Sequence, residues 1–155
     1  MKKKFSAATL CSILCGILML ALVILQFTPF WSANGDSASL QGMTWFPGAH
    51  NVLDTYFQTE LRNDYSLNSL VLPTICILVL GVAGCVMYVI KPQAAGNGWF
   101  ALGCGISGLW GYLFMPVYQL GSGWILPLIL SCLCIVCSIP VLIQFARNCY
   151  HWFKG

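Results

Sequence analysis

The sequence predicts an all-α integral membrane protein: a bundle of four transmembrane helices with both chain ends in the cytoplasm. Three observations carry this. Hydrophobic residues make up 59% of the chain and charged residues 7%, where a soluble domain carries about 25% charged. Four apolar runs have the length of a membrane crossing. The basic residues gather on the side of the chain ends and the acidic ones on the other.

Seven basic and four acidic side chains cannot cover the surface of a soluble fold of 155 residues. The apolar excess must face another apolar medium, and the lipid bilayer is the expected partner. The length suits one domain, 1–155. No basic run interleaves with aromatics in a polar segment, so nucleic acid is not an expected partner.

The first span runs from about Phe5 to Phe27, behind Lys2, Lys3 and Lys4. It is too long for the apolar region of a signal peptide, roughly 7–15 residues, and no small-x-small cleavage site directly follows it. A retained helix is the expectation. The second span runs from Leu70 to Ile90, with Pro73 in its first turn, where proline is tolerated. The third runs from Gly98 to about Tyr118, and the fourth from Trp124 to about Phe145. Each holds about 20 residues, which at about 1.5 Å per residue matches a hydrocarbon core of about 30 Å. None contains Asp, Glu, Lys, Arg or His. Pro140 removes one backbone hydrogen bond and should bend the fourth helix.

Orientation follows from the positive-inside rule. Lys2, Lys3, Lys4, Lys91, Arg147 and Lys154 share one side, with no acid among them. Asp36, Asp54, Glu60 and Asp64 share the other, with Arg62 as the only base. Trp31, Trp99, Trp124, Tyr150 and Trp152 lie near span ends, as an interfacial aromatic belt requires.

Helices in lipid approach one another through small residues. Ala8, Ser12 and Gly16 recur at four-residue spacing on the first helix, and Gly103, Ser107 and Gly111 on the third. These six are the candidate helix-packing or oligomer face. They hold one bundle together or, on the glycine-rich third helix, meet a second chain.

Nine cysteines would suggest a disulfide framework in a small secreted protein. Here eight lie inside the apolar runs, Cys149 lies just beyond the last, and the external loop has none. They are read as small packing residues. Cys134 and Cys137 form a single CxxC, without the second pair of a zinc site.

The external loop runs from about Thr28 to Ser69. Asn34-Gly35 is a two-residue turn signal, and its flanks, 30–33 and 37–45, are suited to a short hairpin. From about Ala49 to Leu61 the pattern is that of an amphipathic helix, with Leu53, Phe57 and Leu61 on one face. It would lie on the outer membrane surface or cap the bundle. Trp45, Phe46, Tyr56 and Phe57 are the candidate external docking surface. His50 and Asp54 stand four apart on this segment, but two groups fall short of the three protein ligands that a metal site usually needs.

The spans lack the equipment of catalysis. A Ser or Cys nucleophile needs an adjacent base, and no span has a His or a carboxylate. Coupled transporters usually carry intramembrane ionisable residues, and there is no glycine-rich phosphate loop. Neither an enzyme nor a cofactor is expected. Four spans with a longer first external loop and a short second one are similar to the layout of claudin-type tetraspan proteins. Claudins carry Trp…Gly-Leu-Trp…Cys…Cys in that first loop. Here Gly108-Leu109-Trp110 falls inside the third span and the loop has no cysteine. The resemblance therefore covers architecture alone, and no residue is carried over.

The function expected is that of a non-catalytic membrane protein acting by protein–protein contact, as a homo-oligomer or as a small accessory subunit of a membrane complex. The alternative is an oligomeric channel, lined by Thr9, Ser12, Ser107, Ser131 and Ser138. The lysine start, the lack of an external disulfide and the small size fit a bacterial inner membrane.

Overall fold

A computed structural model describes residues 7–33, 36–39, 68–92, 96–113 and 125–154. Four helices account for most of them: α1 (Ala7–Leu25), α2 (Asn68–Ile90), α3 (Asn97–Leu113) and α4 (Ile125–Lys154). Three are long and apolar enough to cross a membrane: α1, the Leu72–Ile90 part of α2, and α4. The 17 described residues of α3 make about 25 Å of helix, and positions 114–118 of the expected third span lie outside the described residues.

Continuous apolar runs become helices in lipid because each backbone N–H and C=O must then find its partner within its own segment. The ends of these helices are finished locally. The N–H groups of Gln26, Phe27 and Thr28 donate to the carbonyls of Leu22, Ile24 and Leu25, and the Thr28 hydroxyl donates to the Leu25 carbonyl at 2.9 Å. At the start of α3, the Trp99 N–H donates to the Gly96 carbonyl.

Two boundaries differ from the sequence expectation. α2 starts at Asn68, so Pro73 sits in its second turn rather than its first. α4 runs on beyond the expected end of the fourth span near Phe145, to Lys154, through Pro140. The polar end of the sequence reads as a span boundary, yet nothing between Phe145 and Lys154 breaks a helix, and proline costs only one of its hydrogen bonds.

The helices pack in cyclic order. α1 lies against α2 and α4, α3 lies against the same two, and α1 also touches α3 across the centre. Neighbours run antiparallel. On α1 and α2, Gly16 meets Tyr88 whereas Val23 meets Gly81. On α3 and α4, Gly98 meets Leu142 whereas Gly105 meets Ile135.

Each helix buries a seam that alternates steps of three and four. On α1 the seam is Ser12, Cys15, Met19 and Leu22; on α2, Thr74, Ile77, Gly81 and Gly84. On α3 it is Asn97, Ala101, Cys104, Gly108 and Gly111; on α4, Pro127, Ser131, Cys134, Ser138 and Val141. A mean step of 3.5 is the repeat of left-handed helix packing. The core proper is Cys15, Met19, Leu22, Ile77, Ala101, Cys104, Tyr112, Cys134 and Val141.

Beyond α1, strand β1 (Pro29–Ala33) pairs antiparallel with β2 (Asp36–Ser39), Ala33 opposite Asp36 and Ser32 opposite Ser37. The register shifts between Pro29 and Trp31. This ribbon falls in the segment read from the sequence as the external loop. The amphipathic segment 49–61 and the remainder of the expected second strand lie outside the described residues.

Candidate functional site

The distinctive chemistry is inside the packed helices, where thiols and hydroxyls meet backbone carbonyls. Three cysteines link successive helices. The Cys85 thiol on α2 donates to the Gly16 carbonyl on α1 at 4.0 Å. The Cys104 thiol on α3 donates to the Ile77 carbonyl on α2 at 4.0 Å. The Cys134 thiol on α4 donates to the Ala101 carbonyl on α3 at 3.2 Å. Each helix after the first thus reaches back to its predecessor. Sulfur is a weak donor, but it suits a lipid-embedded core because it is small and mildly polar. None of the nine cysteines forms a disulfide.

The hydroxyls are committed in the same way. The Ser12 hydroxyl on α1 donates to the Pro92 carbonyl at 2.9 Å, just past the end of α2. The Asn97 side-chain amide donates to the Lys91 carbonyl at 3.1 Å. The first bond ties the end of α2 to α1, and the second ties it to the start of α3. Within α4, Ser131 donates to the Pro127 carbonyl at 2.8 Å and Ser138 to the Ile135 carbonyl at 2.7 Å. Such bonds back to the preceding turn satisfy a buried hydroxyl without another helix. At the opposite end, Gln26, Thr74 and Tyr112 are fully buried.

The glycines set how closely the backbones approach. A Cβ on Gly105 would stand 2.9 Å from the Ser131 carbonyl oxygen and 2.7 Å from Ile135 Cγ1. One on Gly108 would collide with the Ser131 hydroxyl, and one on Gly84 would stand 2.6 Å from Met19 Sδ. Small-residue contacts of this kind hold helices together where no hydrophobic force acts between them.

Ser12, Gly16, Ser107 and Gly111 are buried within the chain, and Ala8 and Gly103 are half-buried. Four-residue spacing advances about 400° around a helix, so it drifts about 40° per step away from a fixed seam. Ala8 and Gly103 therefore fall at its edge. Gly103 still faces α2, where a Cβ would stand 2.7 Å from Leu80 Cδ1. Trp45, Phe46, Tyr56 and Phe57, like His50 and Asp54, lie outside the described residues.

Sequence reasoning placed Gly105 and Gly108 only near the small-residue face of the third helix, not as close contacts with α4, and it passed over the succession of thiol–carbonyl bonds. The first was readable from the 3.5 repeat of small residues on α3. The second had no sequence signal, because a packing cysteine and a donor cysteine look alike until the neighbouring carbonyl is known.

Among the described residues, no three or more His, Cys, Asp or Glu side chains form a group able to hold a metal ion. The carbonyls that receive the thiols take up no proton, so these contacts organise structure and do not activate a nucleophile. No family model, curated protein or solved structure matches this chain.

Proposed function

We propose that this chain is a non-catalytic membrane protein of four spans, with both ends in the cytoplasm, that works by protein–protein contact. It acts as a homo-oligomer or as the small accessory subunit of a larger membrane complex, and the bacterial inner membrane is its proposed location. The observation that carries this reading is how the interior uses its polar groups. Ser12, Cys85, Asn97, Cys104, Ser131, Cys134 and Ser138 each donate to a backbone carbonyl of the same chain. Groups so committed are poor candidates for turnover or for ion coordination.

The outer faces support contact over conduction. α1 presents Leu10, Leu14, Ile17 and Ile24, and α4 presents Ile129, Leu133, Val136, Ile139 and Ile143, all exposed. A pore assembled from several copies needs a polar stripe on such a face, and of its five candidate residues Ser12, Ser107, Ser131 and Ser138 are instead buried within the chain and Thr9 is half-buried.

Purification in mild detergent, followed by mass analysis of what co-elutes, tests this reading. Recovery of a reproducible partner or a second copy, lost on Tyr56→Ala/Phe57→Ala while the chain stays folded, is the expected result. Recovery of the chain alone, unchanged by detergent or lipid, would overturn it.

A further inference from the structure

The last turns of α4 lie beyond the packed core. Its 30 residues make about 45 Å of helix, about 15 Å more than the hydrocarbon core of a bilayer needs. If Ile125 marks one boundary, about 20 residues reach the other near Gln144, and the headgroup layer beyond is about 5–8 Å deep. The excess therefore crosses the level of the phosphates.

That excess is patterned. Arg147, Tyr150, His151 and Lys154 recur at steps of three, one and three, which places them on one face of the helix. All four are exposed. Lys154 Nζ stands 5.2 Å from the Tyr150 ring centroid, which gathers the stripe into one cation–aromatic surface. Trp152 and Phe153, on the other sides of the same turn, are 78% and 82% exposed. Lys91, at the same end of the packed helices, is exposed as well. No acidic residue occurs anywhere after Asp64.

A cationic stripe with exposed aromatics at headgroup depth has the chemistry to recognise anionic phospholipid. The aromatics suit the interface, and each basic residue near an anionic surface adds attraction. We propose that the Arg147–Tyr150–His151–Lys154 face of α4 binds the headgroups of anionic phospholipids in the leaflet that surrounds it. This rests on the membrane-embedded reading of the chain but not on its acting by protein contact.

The test is native mass spectrometry of the full chain released from nanodiscs of phosphatidylcholine with and without phosphatidylglycerol. The wild type should retain phosphatidylglycerol in preference to phosphatidylcholine. Arg147→Gln/Lys154→Gln should weaken that preference by about fivefold for each cation removed, while Lys91→Gln alone should cost no more than one such step. Excess inorganic phosphate should not displace the lipid. Both substitutions are at exposed positions, and an unchanged melting temperature would verify that the fold persists. Equal retention of the two lipids, or a preference that the double variant keeps, would overturn the proposal. So would loss of a dimer in the double variant at unchanged lipid retention, which would assign the stripe to a second copy. Failure of the chain to enter nanodiscs at all would instead count against the membrane reading itself.

Discussion

Cys134 on α4 donates its thiol hydrogen to the carbonyl of Ala101 on α3 at 3.2 Å. It is the shortest of the three thiol–carbonyl bonds that run from helix to helix, and Cys134 is fully buried. A cysteine at this point of the seam both fills space and crosses to the next backbone.

Cys134→Ala removes the donor and leaves a small void. It should lower stability by about 1 kcal/mol, the usual net worth of one hydrogen bond. Cys134→Ser restores a donor on a side chain of similar size and should recover part of that loss. Thermal unfolding of the three proteins in one detergent decides the matter. If the alanine and serine variants melt together, the thiol acts only as bulk.

The glycines of α3 make a sharper contrast. At Gly105 a methyl group would press on the Ser131 carbonyl oxygen, which is backbone and cannot rotate away. Gly105→Ala should therefore cost about 1–3 kcal/mol, the range for overpacking a filled core. At Gly96 a new Cβ meets nothing within 4 Å. Gly96→Ser, next to the first residue of α3, should be neutral or slightly stabilising, because serine is a good helix cap. Similar melting temperatures for the two variants would contradict the close approach of α3 and α4.

None of the nine cysteines is paired, so unfolding in detergent should not respond to reductant. A large fall in melting temperature with dithiothreitol would reveal a disulfide that the fold does not contain.

Much of this fold is readable in the sequence, and the exceptions have physical causes. Apolar length located the helices because lipid leaves a continuous apolar run little alternative. The end of α4 is not legible in the same way, because hydropathy marks where lipid ends and a helix need not end there: the segment around Arg147 is polar yet still helical. Ser12 and Gly16 were recognisable as packing positions, but the step of four that linked them to Ala8 is not the step of the seam. The direction of each thiol depends on a carbonyl of another helix, as Cys104 does on Ile77, and no local pattern encodes that.

Topology is open to direct labelling. Single cysteines at positions 3, 91 and 154 should react from one side of the membrane and a cysteine at position 54 from the other, in a background without reactive native thiols. Labelling of positions 54 and 91 from the same side would contradict the proposed topology.

The central claim is that the chain works through contact with other membrane proteins, and the mass of its particle tests this most directly. The chain should be extracted from its own membrane in lipid nanodiscs, without detergent, and its protein mass counted particle by particle. A dominant species of at least twice the 17.0 kDa chain, whether made of copies or of a partner, is the expected result. A dominant single chain of 17.0 kDa, at native abundance and in native lipid, would contradict it.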